Sequence, residues 1–258
     1  MLSVTIIQSN LFWENMDQNL KQFETKINLI LEKTDLIVLP EMFTTGFTMN
    51  PTQYAETHEG RGLCWMKEIA KKKNCALVGS LSVKENDNYY NRLYWVFPDG
   101  TYQFYNKRHL FSMGNEPEHY AAGNEKKIIE YKGWKICPLV CYDLRFPVWS
   151  RNSNEDQYDV LIYVANWPAV RAYPWKQLLI ARAIENQCFV VGVNRVGEDA
   201  NKTKHSGDSL VINSRGEVIN KPNSNQEVTE TISLNKSELI EFRKAFPVLN
   251  DADNFEIN

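Results

Sequence analysis

Three ionisable side chains in this sequence stand where a short apolar run stops: Glu41 after "LIVLP", Lys107 after "YQFYN" and Cys141 after "KICPLV". A carboxylate, an ammonium and a thiol together suffice for acyl transfer through sulfur. The thiolate is the form that attacks carbon, and an unperturbed thiol of pKa about 8.5 is only a few per cent ionised near neutrality. A nearby base is therefore required, and Glu41 is the candidate. The resulting tetrahedral intermediate carries an oxyanion, for which Lys107 and the backbone N–H of Tyr142 are candidate partners. Proximity to Lys107 is also expected to raise the thiolate fraction of Cys141. Taken singly, each residue has a plainer alternative: a packed core cysteine, a strand-end carboxylate, a solvated lysine.

Such groups meet only if the strands before them end at one crevice, as the strands of an α/β sheet do. The sequence supplies the strands. "SVTIIQS", "DLIVLPE", "CALVGSLSV", "RLYWVF", "KICPLVC", "DVLIYVAN", "CFVVGVN", "DSLVIN" and "VTETISL" are short, β-branched and bounded by turn residues. Helical spacing lies between them. "DQNLKQFETKINLILEK" sets Leu20, Phe23, Ile27 and Ile30 on one stripe with Asp17 as its N-cap, and "GLCWMKEIAKKKN" and "PWKQLLIARAIENQ" behave alike. Pro98, Asp99 and Gly100 predict a hairpin turn. The fold class is α/β, and so many differently connected strands predict two sheets with helices on their outer faces. Residues 41–60 and 107–124 read as long irregular segments, which in compact domains tend to be functional. Both begin with one of the ionisable residues.

Composition narrows the classes. A chain of 258 residues with 43% hydrophobic content can bury one sizeable core, and a single domain over 1–245 with a C-terminal tail over 246–258 is expected. With 29 basic and 32 acidic residues intermixed, the net charge of −3 gives no field suited to nucleic acid or an anionic membrane. No run reaches the ~18 apolar residues of a membrane helix, and "MLSVTIIQSNLFWENMDQN" lacks the pattern of a secretory signal. The expected location is the cytoplasm, with a small molecule as partner. Five cysteines form no CxxC pair and read as reduced thiols, mostly in the core. Cys137 and Cys141 would lie about 13 Å apart along one strand, too far for a disulfide.

The wording around the three residues carries more than their types. "LPEMFTTGF", "YNKRHLF" and "LVCYDLRFPVWSRN" resemble, in order, the three blocks of the nitrilase superfamily, and the resemblance runs from "SVTIIQSN" to the tail. "YVANWP", "WKQLLIARAIENQCFVVGVNRVG" and "GDSLVINSRGEV" are similar to further blocks of its omega-amidase branch, whose members release ammonia from 2-oxo-dicarboxylic acid monoamides. The resemblance implies a four-layer αββα sandwich and a thiol amidohydrolase acting through a thioester. Glu41 is then the general base, Lys107 the oxyanion-stabilising cation and Cys141 the nucleophile. A second family glutamate lies before a loop glycine; Glu116, seven residues before Gly123, has that spacing and would hold the Lys107 ammonium. The resemblance also implies a homodimer, for which Phe246, Val248, Leu249, Phe255 and Ile257 of the tail supply apolar surface. Its implied substrates are a small amide and water.

The remaining positions keep two readings each. Trp167 either shapes an acyl pocket or only packs, and Arg171 either grips a substrate carboxylate bidentately or faces water. Tyr142 offers its backbone donor whatever its ring does. Asp143 and Arg145 are expected to form a structural ion pair, and His109 to be structural. The four histidines and the cysteines show no metal-ligand spacing, and no phosphate or dinucleotide loop is present, so neither metal nor cofactor is expected. Alternatives are another specificity of the superfamily, such as N-carbamoyl amine hydrolase or nitrilase, or a non-catalytic thiol redox or binding protein.

Overall fold

The computed structural model describes residues 1–153, 157–221, 223–253 and 255. Strands among these residues are β1 (Leu2–Gln8), β2 (Leu36–Val38), β3 (Glu56–Thr57), β4 (Ala76–Glu85), β5 (Asn88–Val96), β6 (Tyr102–Asn106), β7 (Ile129–Tyr131), β8 (Trp134–Val140), β9 (Val160–Ala165), β10 (Phe189–Asn194), β11 (Val196–Glu198), β12 (Lys204–Ser206), β13 (Leu210–Ile212) and β14 (Val228–Leu234). Helices are α1 (Met16–Asn28), α2 (Pro51–Tyr54), α3 (Arg61–Lys73), α4 (Glu116–His119), α5 (Pro147–Ser150), α6 (Ala172–Asn186) and α7 (Lys236–Ala245). One sheet runs β14-β1-β2-β4-β5-β6 with β3 added beside β4; the other runs β13-β10-β9-β8-β7. The β11–β12 hairpin stands apart.

Period-two patterning sorts the first sheet into two faces. Leu36, Val38, Ala76, Val78, Leu93 and Trp95 join the second sheet in the central core. Their neighbours Ile37, Leu39, Leu77, Leu81, Tyr94 and Val96 pack under Leu20, Phe23 and Ile27 of α1 and Leu63, Met66 and Ile69 of α3. Trp175, Leu179 and Ala183 of α6 and Leu239 of α7 cover the far face of the second sheet. The result is the αββα sandwich. Each fully buried Leu, Ile or Val stabilises it by about 1.5–3 kcal/mol.

Direction places the site. β1, β2 and β4 are parallel, as are β8, β9 and β10. β5 is antiparallel to β4, and β6 to β5, so β6 points the same way as β2. Glu41, Lys107 and Cys141 therefore follow strands whose carboxyl ends lie at one edge of the sandwich.

Local details depart from the sequence expectations in three places. The N-cap of α1 is Asn15, whose side chain accepts from the Gln18 N–H, while Asp17 sits in the first turn and favours the helix dipole there. Ile30 falls beyond the helix end. Asp143 and Arg145 do not pair: they lie two apart in a 3-10 turn, where side chains at i and i+2 point away from each other. The tail is also less bare than expected, because Leu249 is buried while Phe246 and Phe255 remain exposed; Ile257 lies outside the described residues. The turn at Pro98–Gly100 is present, with Asp99 accepting from the Thr101 N–H.

Candidate active site

Each of the three strand ends is followed by backbone that turns the chain sharply. Cys141 itself has φ +41°, and Met42, next to Glu41, has φ +44°. Positive φ is uncommon for non-glycine residues and is found where surrounding structure holds it in place, often at functional sites. At Cys141 the turn swings the thiol out of the end of β8 into the crevice.

Glu41, Lys107 and Glu116 are buried there together. The Lys107 ammonium donates to Glu41 Oε1 at 3.0 Å and to Glu116 Oε1 and Oε2 at 3.1 and 2.8 Å. Glu116, the first residue of α4, is anchored further by the Phe111 N–H at 2.6 Å. Glu41 Oε2 accepts from the Asn166 backbone N–H at 2.8 Å, a contact that ties the two sheets together. Cys141 faces the same cavity as Glu41, Lys107 and Asn166, and the Glu41 charge acts on its thiol. All four residues that the sequence put forward for the chemistry are thus brought into one cluster.

Burial governs the charges. Desolvation opposes the Lys107 charge, yet the Glu116 and Glu41 carboxylates outweigh it and hold the ammonium above its ordinary range. Desolvation pushes Glu116 up, with Lys107 pulling the other way. For Cys141, burial and then the Glu41 charge push the thiol well above its ordinary value, and Lys107 only partly offsets them. Lys107 favours the thiolate as expected, but burial and Glu41 outweigh it. Together they favour the protonated thiol next to the Glu41 carboxylate.

A cavity of about 470 Å³ opens over this cluster. Phe47 and Met49 from the first irregular segment and Phe111, Met113 and Gly114 from the second form part of its wall. Tyr142, Arg145, Trp167 and Arg171 also line it. Trp167 is buried and donates its Nε1–H to the Arg171 carbonyl at 2.7 Å, so it both packs and shapes the wall. The Arg145 guanidinium stacks over Trp167 at 4.9 Å and that of Arg171 over Phe111 at 5.3 Å. Neither guanidinium has a carboxylate within ion-pair distance among the described residues.

Asp143 works below the cavity. It accepts from Tyr105 OH at 2.8 Å, from the Val140 N–H at 3.0 Å, and from both the backbone N–H and Nδ1 of His109 at 3.0 and 2.8 Å. It thereby fastens the turn after Cys141 to the segment after Lys107, and His109 is structural as expected.

Three contributions were not anticipated. Asn91 donates to both Glu41 and Glu116. Asn166 binds Glu41 through its backbone and side chain. The β11–β12 hairpin supplies Asp199, Asn201, Thr203 and His205 to the cavity wall. An asparagine in an inward-facing strand position, in register with Leu93 and Trp95, was a readable signal for the first. Asn166, directly after the apolar run of β9, repeats the strand-end logic of the other site residues. The hairpin left no such mark, since its polar residues read as a surface loop.

A family model for carbon-nitrogen hydrolases matches residues 3–244. The omega-amidase YafV of Escherichia coli K12 is 45% identical over 256 residues, covering 99% of this chain and 98% of that protein. The 2-oxoglutaramate amidase of Bacillus subtilis is 34% identical over 252 residues, with 96% of each covered. XC1258 from Xanthomonas campestris, a CN-hydrolase superfamily protein with an arsenic adduct in its active site, superposes with a TM-score of 0.96 at 40% identity, covering 100% of this chain and 99% of that one. The chain belongs to the carbon–nitrogen hydrolase family, on the omega-amidase branch of the nitrilase superfamily, and is a hydrolase of carbon–nitrogen bonds.

Proposed function

We propose that the protein releases ammonia from the terminal amide of a small 2-oxo-dicarboxylic acid monoamide such as 2-oxoglutaramate, through a thioester on Cys141. The observation that carries this is Cys141 facing one cavity with Glu41 and the Lys107 ammonium that Glu41 and Glu116 hold, beneath a rim with two guanidinium groups that have no ion-pair partner among the described residues. Glu41 takes the thiol proton as sulfur bonds to the amide carbon, so proton transfer accompanies attack instead of preceding it. The oxyanion is met by the Tyr142 N–H and by the charge of Lys107, whose own hydrogen bonds are committed to Glu41 and Glu116. Protonated Glu41 gives its proton to the departing nitrogen and ammonia leaves. Water, deprotonated by Glu41, then attacks the thioester; the second tetrahedral intermediate collapses to the carboxylic acid and the thiol. Glu116 holds Lys107 throughout. Neither a metal nor a cofactor enters the scheme.

Arg171, with Arg145 near it on the same wall, is the proposed anchor for the substrate carboxylate, since a guanidinium can grip it bidentately. The names of the YafV and Bacillus subtilis relatives support the substrate class. Action in the cytoplasm and a homodimer complete the proposal. None of the five cysteines forms a disulfide, one of them being exposed, which suits a reducing compartment. No described helix is long and apolar enough to cross a membrane. Exposed Phe246, Phe255, Val148 and Ile184 offer apolar surface for a second copy.

Ammonia release from 2-oxoglutaramate, an N-carbamoyl amine and a nitrile, measured side by side, tests the specificity. Fastest turnover of 2-oxoglutaramate is expected; a preference for either other compound would move the protein to another specificity of the superfamily.

A further inference from the structure

We infer that Asn91 is the positioning residue that keeps Glu41 and Glu116 in place around the single Lys107 ammonium. This rests on the roles proposed above for those three residues. Two buried carboxylates and one ammonium leave one negative charge in excess, and like charges so close repel unless further donors are aimed at them. Asn91 supplies those donors. Its Nδ2 lies 2.7 Å from Glu41 Oε1 and 3.2 Å from Glu116 Oε1, so the two hydrogens of one amide bridge the two carboxylates. Its backbone carbonyl accepts the Lys107 N–H at 2.9 Å, which fixes the chain that carries the ammonium.

The strand explains the placement. Asn91 lies near the start of β5, which runs antiparallel to β4 and β6 and so begins at the edge where they and β2 lead into the site. It shares the inward face with Leu93 and Trp95, where an apolar residue would fit the pattern. The side chain is fully buried and its Oδ1 has no hydrogen-bond partner among the described residues. A buried polar group kept with one end unsatisfied calls for a reason, and here the satisfied end faces both carboxylates. The amide orientation follows as well, because the reverse would aim an oxygen at two carboxylates. Asn91 does not line the cavity, so it acts on the chemistry only through Glu41, Glu116 and Lys107.

The test is kcat and KM of the full-length protein for wild type, N91S, N91L and N91D, with a thermal melt of each. Leucine keeps the volume without donors. Aspartate keeps the shape but adds a third carboxylate, and serine keeps one donor. For N91L, kcat should fall about 10- to 100-fold, with a further tenfold loss for N91D, N91S between N91L and wild type, and KM within about threefold throughout; at 1.4 kcal/mol per decade the N91L loss is about 1.4–2.8 kcal/mol. A folded N91L or N91D with kcat within threefold of wild type would overturn the inference, as would losses carried by KM alone. If neither folds, N91S decides on the same criterion. Should wild type prefer another amide, the substrate assignment fails by itself and the variants are compared on that amide.

Discussion

The floor and the rim of the cavity treat charge in opposite ways. On the floor, Glu41, Glu116 and Lys107 are withdrawn from water, and every oxygen and the ammonium have protein partners. On the rim, Arg145 and Arg171 are only partly buried, rest on the faces of Trp167 and Phe111, and meet no carboxylate among the described residues. A site that must stabilise charge as it develops gains from dipoles fixed in advance. A site that must recognise a charged substrate gains from a cation left uncommitted. The difference teaches that chemistry and selectivity are carried by separable sets of residues, and substitutions should separate them.

Cys141→Ala should have the largest effect, a loss of turnover of at least about 10⁴-fold, the scale seen when a nucleophile is removed elsewhere. Its melting temperature should stay close to wild type, since little volume is lost; ammonia release with a parallel melt checks both. Lys107→Met should lower kcat by about 10²–10³-fold with little change in KM, as expected for a group acting mainly on the transition state. It should also destabilise the fold, because two buried carboxylates lose their counter-charge, at a cost of about 3–5 kcal/mol in comparable cases. A changed KM with unchanged kcat would place Lys107 in binding instead.

The rim should behave differently. Arg171→Met should lower kcat/KM for 2-oxoglutaramate by about one to two powers of ten, from roughly 1.5–3 kcal/mol for a hydrogen bond to a charged group. It should scarcely affect an uncharged amide of similar length. Equal losses on both would show that Arg171 supports the loop, and the anchor would pass to Arg145.

The smallest effect lies outside the cavity and concerns a buried carboxylate with no ion-pair partner among the described residues. Glu56 accepts from the Gly62 N–H at the start of α3, and desolvation, only partly offset by that bond and by Arg61, raises its pKa from 4.5 to about 7. Below about pH 4.5 both folded and unfolded chains keep the proton, so there is no penalty. Between 4.5 and 7 only the unfolded chain loses it, and stability falls as pH rises; above 7 the penalty is complete. Glu56→Gln should therefore raise the melting temperature by a few degrees at pH 8 and leave it nearly unchanged at pH 4.5. No pH-dependent difference would mean that Glu56 is better solvated than its burial implies.

How much of this was legible depends on what kind of signal each residue leaves. Glu41, Lys107 and Cys141 interrupt apolar runs, and hydrophobic periodicity locates such interruptions well, as it does the two faces of β1, β2, β4 and β5. Glu116 needed the resemblance, because a glutamate in a polar loop looks like any surface charge until tertiary structure buries it. The sequence also shows only that Lys107 favours the thiolate of Cys141, whereas burial and the Glu41 charge, which act the other way, are set by the fold. Asp143 illustrates the limit of reading neighbours as partners. Its donors come from positions 105, 109 and 140 instead of 145. Asn15 took the cap from Asp17 because its side-chain oxygen reaches the Gln18 N–H from the residue just before the helix.

The most direct test of covalent catalysis at the floor is to stop the wild-type reaction with acid during turnover of 2-oxoglutaramate and map the peptides by mass. Hydroxylamine in a parallel sample intercepts the acyl group. The 2-oxoglutaryl mass should appear on the peptide containing Cys141 and on no other cysteine, and the hydroxamate should form at the expense of the acid. Sustained ammonia release with unmodified Cys141 and no hydroxamate would contradict the thioester route, because water would then attack the amide directly.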